Sequence, residues 1–241
     1  MAIRSAVALG LHREETLVIF SEEDQILRKN LWRSLFVLES FLSASLGRPT
    51  AISEEDCSGE SFRTDNNRNA ADPLFVPANK NHPSGISLGA SLRSCQVISI
   101  ILRRVYSRRK ISINLAQQIA DKCKSWPEEL DASLHWRQMA TAGTQNTSPS
   151  IAILHVNLLY CHTIILLTRP FFLFLLNKIR QERTRDGQKS LKLSSRMEKF
   201  SEACVTASCH SIILVQNALD GGYLSRRDPF VMYDKKRTLI H

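Results

Sequence analysis

The sequence predicts an all-α protein built as an irregular multi-helix bundle. Three observations carry that prediction. Apolar residues recur with helical period in long runs; within the densest of the early ones, Leu31, Leu35, Leu38 and Leu42 fall on one stripe. That run stops cleanly, with Gly47 placed to take the left-handed conformation past the last turn and Pro49 forbidding continuation. A composition of 43% hydrophobic residues with only 9 glycines and 8 prolines suits a globular, mostly helical chain, and 241 residues can bury a sizeable core in one or two domains.

Taken in order, residues 1–13 read as the last turns of a helix, with Ile3, Val7 and Leu11 inward and Gly10 near the stop. Ser21 caps the next helix, with Asp24 three residues on as a short reciprocal partner and Glu22 and Glu23 favouring the dipole. This helix continues through Gln25 and Ile26 into the leucine stretch, about 25 residues in all and long enough to be a central strut. Trp32, Phe36, Val37 and Phe41 widen its apolar stripe, and only Arg33, Glu39 and a few serines interrupt it. Arg48, between the glycine and the proline, can turn its guanidinium onto unpaired helix carbonyls or onto a nearby carboxylate. An acidic patch, Glu54, Glu55 and Asp56, follows, and residues 57–85 read as a long loop rich in Asn, Asp and Pro.

A helix returns from Ile86 to Tyr106, with Leu88, Leu92, Cys95, Ile98 or Ser99, and Leu102 on one face. It finishes in a basic run from Arg103 to Lys110, which reads either as a nuclear address or phosphate-binding patch, or as cations answering a helix dipole. A shorter helix from Ile113 to Trp126 is ended by Pro127. Residues 139–150 form a polar hinge, which divides a first part, 1–138, from the C-terminal helices of 151–225. The run from Ile151 to Leu176 is the most apolar in the chain. A membrane span is disfavoured by His155, Asn157, His162 and Arg169, since an arginine at mid-helix costs roughly 2.5–3.5 kcal/mol on insertion scales. A packed helix broken or kinked at Arg169-Pro170 is the expectation. His155 and His162 share a stripe but lie about 10 Å apart along the axis, which favours core histidines over a shared metal. Residues 177–196 are a basic connector. A final helix turns Met197, Phe200, Cys204, Ala207, Ser211, Leu214 and Ala218 inward and ends at Gly221-Gly222, before a basic tail over 226–241. The core is expected to run through Trp32, Leu35, Leu42, Leu158, Ile165 and Leu166.

Several of these segments resemble the fungal-specific transcription factor domain, the regulatory middle region of binuclear zinc-cluster regulators. Arg4, Ala6, Leu9, Gly10, Leu11, His12 and Arg13 match the family's first helical motif. Leu31, Trp32, Leu35, Leu38, Ser43, Leu46, Gly47, Arg48, Pro49 and Ile52 match its second, with Arg33 in place of a second tryptophan and Glu39-Ser40 in place of an Asp-Arg pair. Tyr160 and the run from Ile165 through Arg169 and Pro170 to Phe171 resemble a third. The resemblance runs in order from about Ile3 to Leu219 and implies a partial domain, cut at both ends. It also implies a nuclear regulatory role, with the transcription machinery or co-regulators as partners, a small effector as a further possible partner, and no membrane; oligomeric state is left open.

The net charge of +9 fits work beside nucleic acid as well as it fits a protein with basic loops. The N-terminal apolar stretch is too short for a secretory signal, so the six cysteines are expected reduced. They stand at 57, 95, 123, 161, 204 and 209, scattered where a binuclear zinc cluster needs six thiolates crowded into a few dozen residues. No cofactor is therefore expected in this chain, with zinc only in a longer form. There is no Gly-x-Ser-x-Gly elbow, dinucleotide fingerprint or His-Glu-x-x-His, and no catalytic residues are assigned. The reading is a regulatory domain that does not itself read DNA. A helical scaffold or ligand-binding domain without a DNA link is the first alternative, and a helical enzyme the second.

Sequence-specific DNA binding is accordingly expected to be absent, because the chain holds no groove-reading motif. Weak, salt-sensitive association through basic segments is compatible with this. A mobility-shift assay at physiological salt in which one sequence is preferred roughly a hundredfold would overturn it.

Overall fold

Helices make up the regular structure of the computed structural model, which describes residues 2–52, 57, 83–108, 111–140, 147–184 and 195–224. The acidic patch at 54–56, most of the 57–85 loop, Arg109 and Lys110, residues 141–146 of the hinge, 185–194 of the connector and the tail lie outside the described residues. In order the helices are α1 (Ala2–Ala8), α2 (Glu22–Leu46), α3 (Pro83–Ile101), α4 (Ile113–Lys124), α5 (Trp126–Glu129), α6 (Thr147–Thr184) and α7 (Ser195–Asp220). A π-helical turn, Leu102–Tyr106, extends α3, and short 3-10 turns lie at Glu14–Thr16, Ala132–Leu134 and Trp136–Ala140. No strand occurs among the described residues. The chain forms two compact units, Met1–Leu102 and Arg103–His241.

In the first unit α2 packs on α3. Its start is built as the sequence indicates: Ser21 Oγ accepts from the Asp24 N–H at 3.3 Å. The same hydroxyl donates to Asp24 Oδ2 at 2.7 Å, so the carboxylate answers the cap's side chain. The buried face of α2 is not the leucine stripe. Leu31 is 50% exposed and Leu42 40%, and Leu38 and Leu46 are exposed too, while Leu35 is half-buried. Trp32, Phe36, Ser40, Ser43 and Ala44 turn inward instead, with Glu39 and Phe41. The physical reason lies in the partner helix. The buried positions of α3 mix the large Leu92, Ile98 and Ile101 with the small Ala90, Ser91, Ser94, Cys95 and Ser99, and small residues let two helices approach closely where they meet. Cys95 Sγ reaches 3.7 Å from the Val37 carbonyl of α2, a side chain against a neighbouring backbone. A face of serines and alanine suits that approach, and the large rings of Trp32 and Phe36 bury more area than two leucines would.

The second unit is organised by α6, which packs on α7, α4 and both 3-10 turns of 132–140. Leu158 and Leu166 are buried as expected, but Ile165 is only half-buried; Leu154, Leu159 and Leu167 fill the core in its place. In α7 the expected inward set is buried from Phe200 to Ala218, with Met197 half-exposed. Pro127 does not merely end α4: it stands in the first turn of the short α5, where its missing N–H is harmless. Gly85–Tyr106 and Ser148–Gln181 are long and apolar enough to cross a membrane by length and composition, and half and two-thirds of their most apolar windows are buried inside the protein.

Of the break or kink expected at Arg169-Pro170, the break is absent. α6 runs as one helix of 38 residues with Pro170 inside it. Proline has no N–H, so the carbonyl four residues earlier, that of Leu166, loses its helical donor. The Tyr106 hydroxyl, carried to this point by the π turn, donates to the Leu166 carbonyl at 3.0 Å. The hydrogen bond that proline removes is replaced from outside the helix. Tyr106→Phe should therefore cost about 1–3 kcal/mol, the penalty of an unsatisfied buried acceptor. Pro170→Ala restores the internal donor, so in that background Tyr106→Phe should cost less by at least about 0.5 kcal/mol. Urea denaturation of the four proteins measures the coupling, and an equal cost in both backgrounds would separate the tyrosine from the proline.

Candidate functional site

Two places gather the residues singled out in the sequence, one in each unit. In the first unit the two N-terminal motifs meet. α1 ends in a paired-bond stop, with Gly10 N–H on the Val7 carbonyl at 3.0 Å and Leu11 N–H on the Ala6 carbonyl at 3.1 Å. Gly10 holds φ +69°, and a Cβ there would stand 2.9 Å from Thr16 Oγ1, so the position is closed to side chains on two counts. The turn delivers Leu11 to the core and sets the His12 ring 5.9 Å from Trp32 at 51°. Arg13 is exposed, and its carbonyl lies 2.7 Å from Thr16 Oγ1. Lys29 and Glu14 close the corner with a 2.9 Å ion pair.

At the other end of α2 the Gly-Arg-Pro turn is held by a carboxylate. Gly47 takes φ 66° and donates its N–H to the Ser43 carbonyl. Arg48 and Pro49 are exposed, and the adjacent carboxylates at 54–56 lie outside the described residues. Glu39 secures the turn. Buried on α2, its Oε1 accepts from the Ala51 N–H at 2.6 Å and from the Ser43 hydroxyl at 2.7 Å, and Ile52 enters the core just beyond. Burial first, and the Glu39 charge second, push the Cys95 thiol far above the usual range, so it serves as a small apolar group. Sequence reasoning noted Glu39 as an interruption of the apolar stripe and a departure from the family pattern, and gave it no role in the turn. Its signal was a single carboxylate within a strongly apolar helix.

In the second unit Tyr160 stacks on Trp126, ring centroids 4.1 Å apart and 9° from parallel. Burial, with smaller effects from Cys123 and Cys161, raises its hydroxyl to about 12, so it stays protonated and able to donate. Phe171, just past Arg169-Pro170, stacks on Phe200 at 4.9 Å. Between α6 and α7 lies a cavity of about 450 Å³, lined by Tyr160, Cys161 and Ile164 from one helix and Ala203, Ala207 and His210 from the other. That volume is within the range of small-molecule sites. Cys161 Sγ and His210 Nδ1 are 4.0 Å apart, and Trp136 packs edge-on against the imidazole at 5.7 Å. Desolvation lowers the His210 pKa, which favours the neutral ring. Neither His210 nor the aromatic support of Trp126 was visible as a site in the sequence, because both converge on α6 from separate elements.

His162 is buried and His155 half-buried, and among the described residues no three His, Cys, Asp or Glu side chains converge as a metal site. No disulfide joins the six cysteines, and Cys204 is buried and Cys209 exposed, on different faces of α7.

Comparison with known proteins places these features. Residues 1–137 match the family model described as the fungal specific transcription factor domain. The chain is 26% identical over 227 residues to filamentous growth regulator 27 of Candida albicans, an alignment covering 91% of this chain and 27% of that protein. It is 25% identical over 178 residues to the transcriptional activator protein acu-15 of Neurospora crassa, covering 70% of this chain and 19% of that one. Activator of stress genes 1 of Saccharomyces cerevisiae is 25% identical over 194 residues, 76% of this chain and 19% of its own length. The chain thus spans about a quarter or less of the length of these relatives. No solved structure matches.

The carboxylate clasp makes a direct prediction. Glu39→Ala strips the acceptor from two donors and should lower stability by about 1.5–3 kcal/mol, the range for hydrogen bonds to charged groups. Glu39→Gln keeps a carbonyl oxygen in place and should lose less. Chemical denaturation of both variants reads the difference; an unchanged midpoint for Glu39→Ala would mean that the turn holds without the clasp.

Proposed function

The chain belongs to the fungal specific transcription factor domain family, and from that premise we propose that it regulates a transcription factor without itself reading DNA. The observation that carries the reading is the family match over residues 1–137, supported by the meeting of two family motifs at the His12–Trp32 contact. Its relatives are named as transcriptional activators and regulators, which favours a place in the nucleus with co-regulators or the transcription machinery as partners. On this reading the chain is not an enzyme and holds no cofactor of its own, and zinc belongs to a DNA-reading segment of a longer form. The α6–α7 cavity is where a small effector would act, and its volume favours that role over a purely structural seam.

The test is a reporter assay in a fungal host, with the chain fused to an unrelated DNA-reading domain. Transcription should shift severalfold relative to that domain alone, and Ala203→Phe, which fills the cavity, should abolish any response to growth conditions. Reporter output indistinguishable from the DNA-reading domain under every condition would count against the proposal, and turnover in a substrate screen would favour catalysis instead.

A further inference from the structure

We propose that the α6–α7 cavity captures soft electrophiles, α,β-unsaturated carbonyl compounds, as thioethers on Cys161 with His210 as the proton carrier. This rests on the reading of the cavity as the effector site and adds the chemistry of the effector. A thiol bordering a ligand-sized space 4.0 Å from an imidazole is the minimum equipment for nucleophilic addition. A cysteine with no such neighbour would be a filler; here the ring is also held in place, since Trp136 packs edge-on against His210. The imidazole is desolvated, which favours its neutral, proton-accepting form. Tyr160, kept protonated by burial, and Lys199 at the same cavity are donors suited to a carbonyl oxygen. Ile164, Ala203 and Ala207 supply apolar walls for the carbon skeleton.

Cys95, Cys123, Cys204 and Cys209 lack this combination. Burial drives Cys95 and Cys123 upward, Cys123 to about 11, and Cys204 is likewise raised by desolvation. Cys209 is exposed and stands outside the cavity lining. In the addition, the Cys161 thiol proton passes to His210 Nδ1 and the thiolate sulfur forms a bond to the β-carbon. The carbon–carbon π bond breaks, and its electron pair moves toward the carbonyl oxygen as an enolate. The imidazolium then returns the proton to the α-carbon. Nothing leaves, and no external oxidant or reductant is consumed.

The experiment uses the full chain carrying Cys209→Ser, so that the exposed thiol does not obscure the result, with 2-cyclohexenone as the probe. Intact mass should rise by one adduct, and peptide mapping should place it on Cys161. His210→Gln should slow the addition at least about tenfold, below the usual span of general acid–base effects, with the melting temperature unchanged. Should that variant not fold, the rate at Cys161 in the native chain is compared with the rate in urea. A sterically enclosed thiol without assistance reacts more slowly when folded, so a faster native reaction supports the inference. Adducts spread over other cysteines, an unchanged rate in folded His210→Gln, or reaction only after unfolding would overturn it. Saturated cyclohexanone separates the two readings. If it raises the melting temperature of the chain while 2-cyclohexenone forms no adduct, the cavity binds ligands and only the electrophile inference fails.

Discussion

Pro170 removes one amide hydrogen from the middle of the longest helix, and the packing of the second unit turns on how that loss is made good. A proline inside a helix ordinarily costs about 3 kcal/mol or more and bends the chain. Here α6 stays a single helix from Thr147 to Thr184, because the Tyr106 hydroxyl meets the Leu166 carbonyl. The π turn matters to this: a one-residue widening of the helical ring changes the direction in which a side chain leaves the axis. Tyr106 is thereby a tether between the segment that follows α3 and the midpoint of α6. With α6 continuous, Tyr160 and Cys161 lie on the same rigid rod as Phe171, and α7 can lie along it to form both the Phe171–Phe200 stack and the cavity wall.

The same constraint, that buried polar groups seek partners inside, is met at several further positions. Thr163 and Thr168 on α6, and Ser201 and Ser211 on α7, are buried and donate to carbonyls four residues earlier in their own helices. Such bonds satisfy the hydroxyl locally and leave it the volume of a small side chain. Asn157 reaches further, donating to Ile153 of its own helix and to Leu134 of the preceding 3-10 turn, so one amide fixes that turn against α6. Glu39 is the most demanding case. A buried carboxylate is tolerated where donors surround it, and the Ser43 hydroxyl and Ala51 N–H provide them on one oxygen.

What could be read from the sequence follows from which forces are local. Helix ends were legible: the Ser21 cap, the Gly10 and Gly47 stops and the extent of α2 depend on residues within a turn of each other. The inward face of α7 was legible too, since Phe200, Cys204, Ala207, Ser211, Leu214 and Ala218 keep helical spacing over about five turns, while Val205, Ile212 and Ile213 off that stripe stay exposed. α2 offered two. Leucines at 31, 35, 38 and 42 make the more regular pattern, yet the Trp32–Phe36–Ala44 face is the one buried, and periodicity within one helix carries no information about which face its partners cover. The compensation of Pro170 was not legible for a related reason, because the group that supplies it stands 60 residues away in sequence.

The candidate sites divide in the same way. Family motif residues mark the first unit's corner, where Gly10 and Trp32 act through backbone geometry and burial. Arg48, as conspicuous in the sequence as its neighbours, is solvent-exposed, and the anchoring role falls to Glu39, nine residues earlier. At the cavity, Tyr160 was marked by its motif, whereas His210 gains chemical meaning only from facing Cys161 across two helices. A motif registers what the chain needs in order to fold along its own length. Reactivity depends on side chains that meet across elements: Cys161 has the same composition as Cys123, and only the imidazole opposite and the open volume beside it distinguish the two.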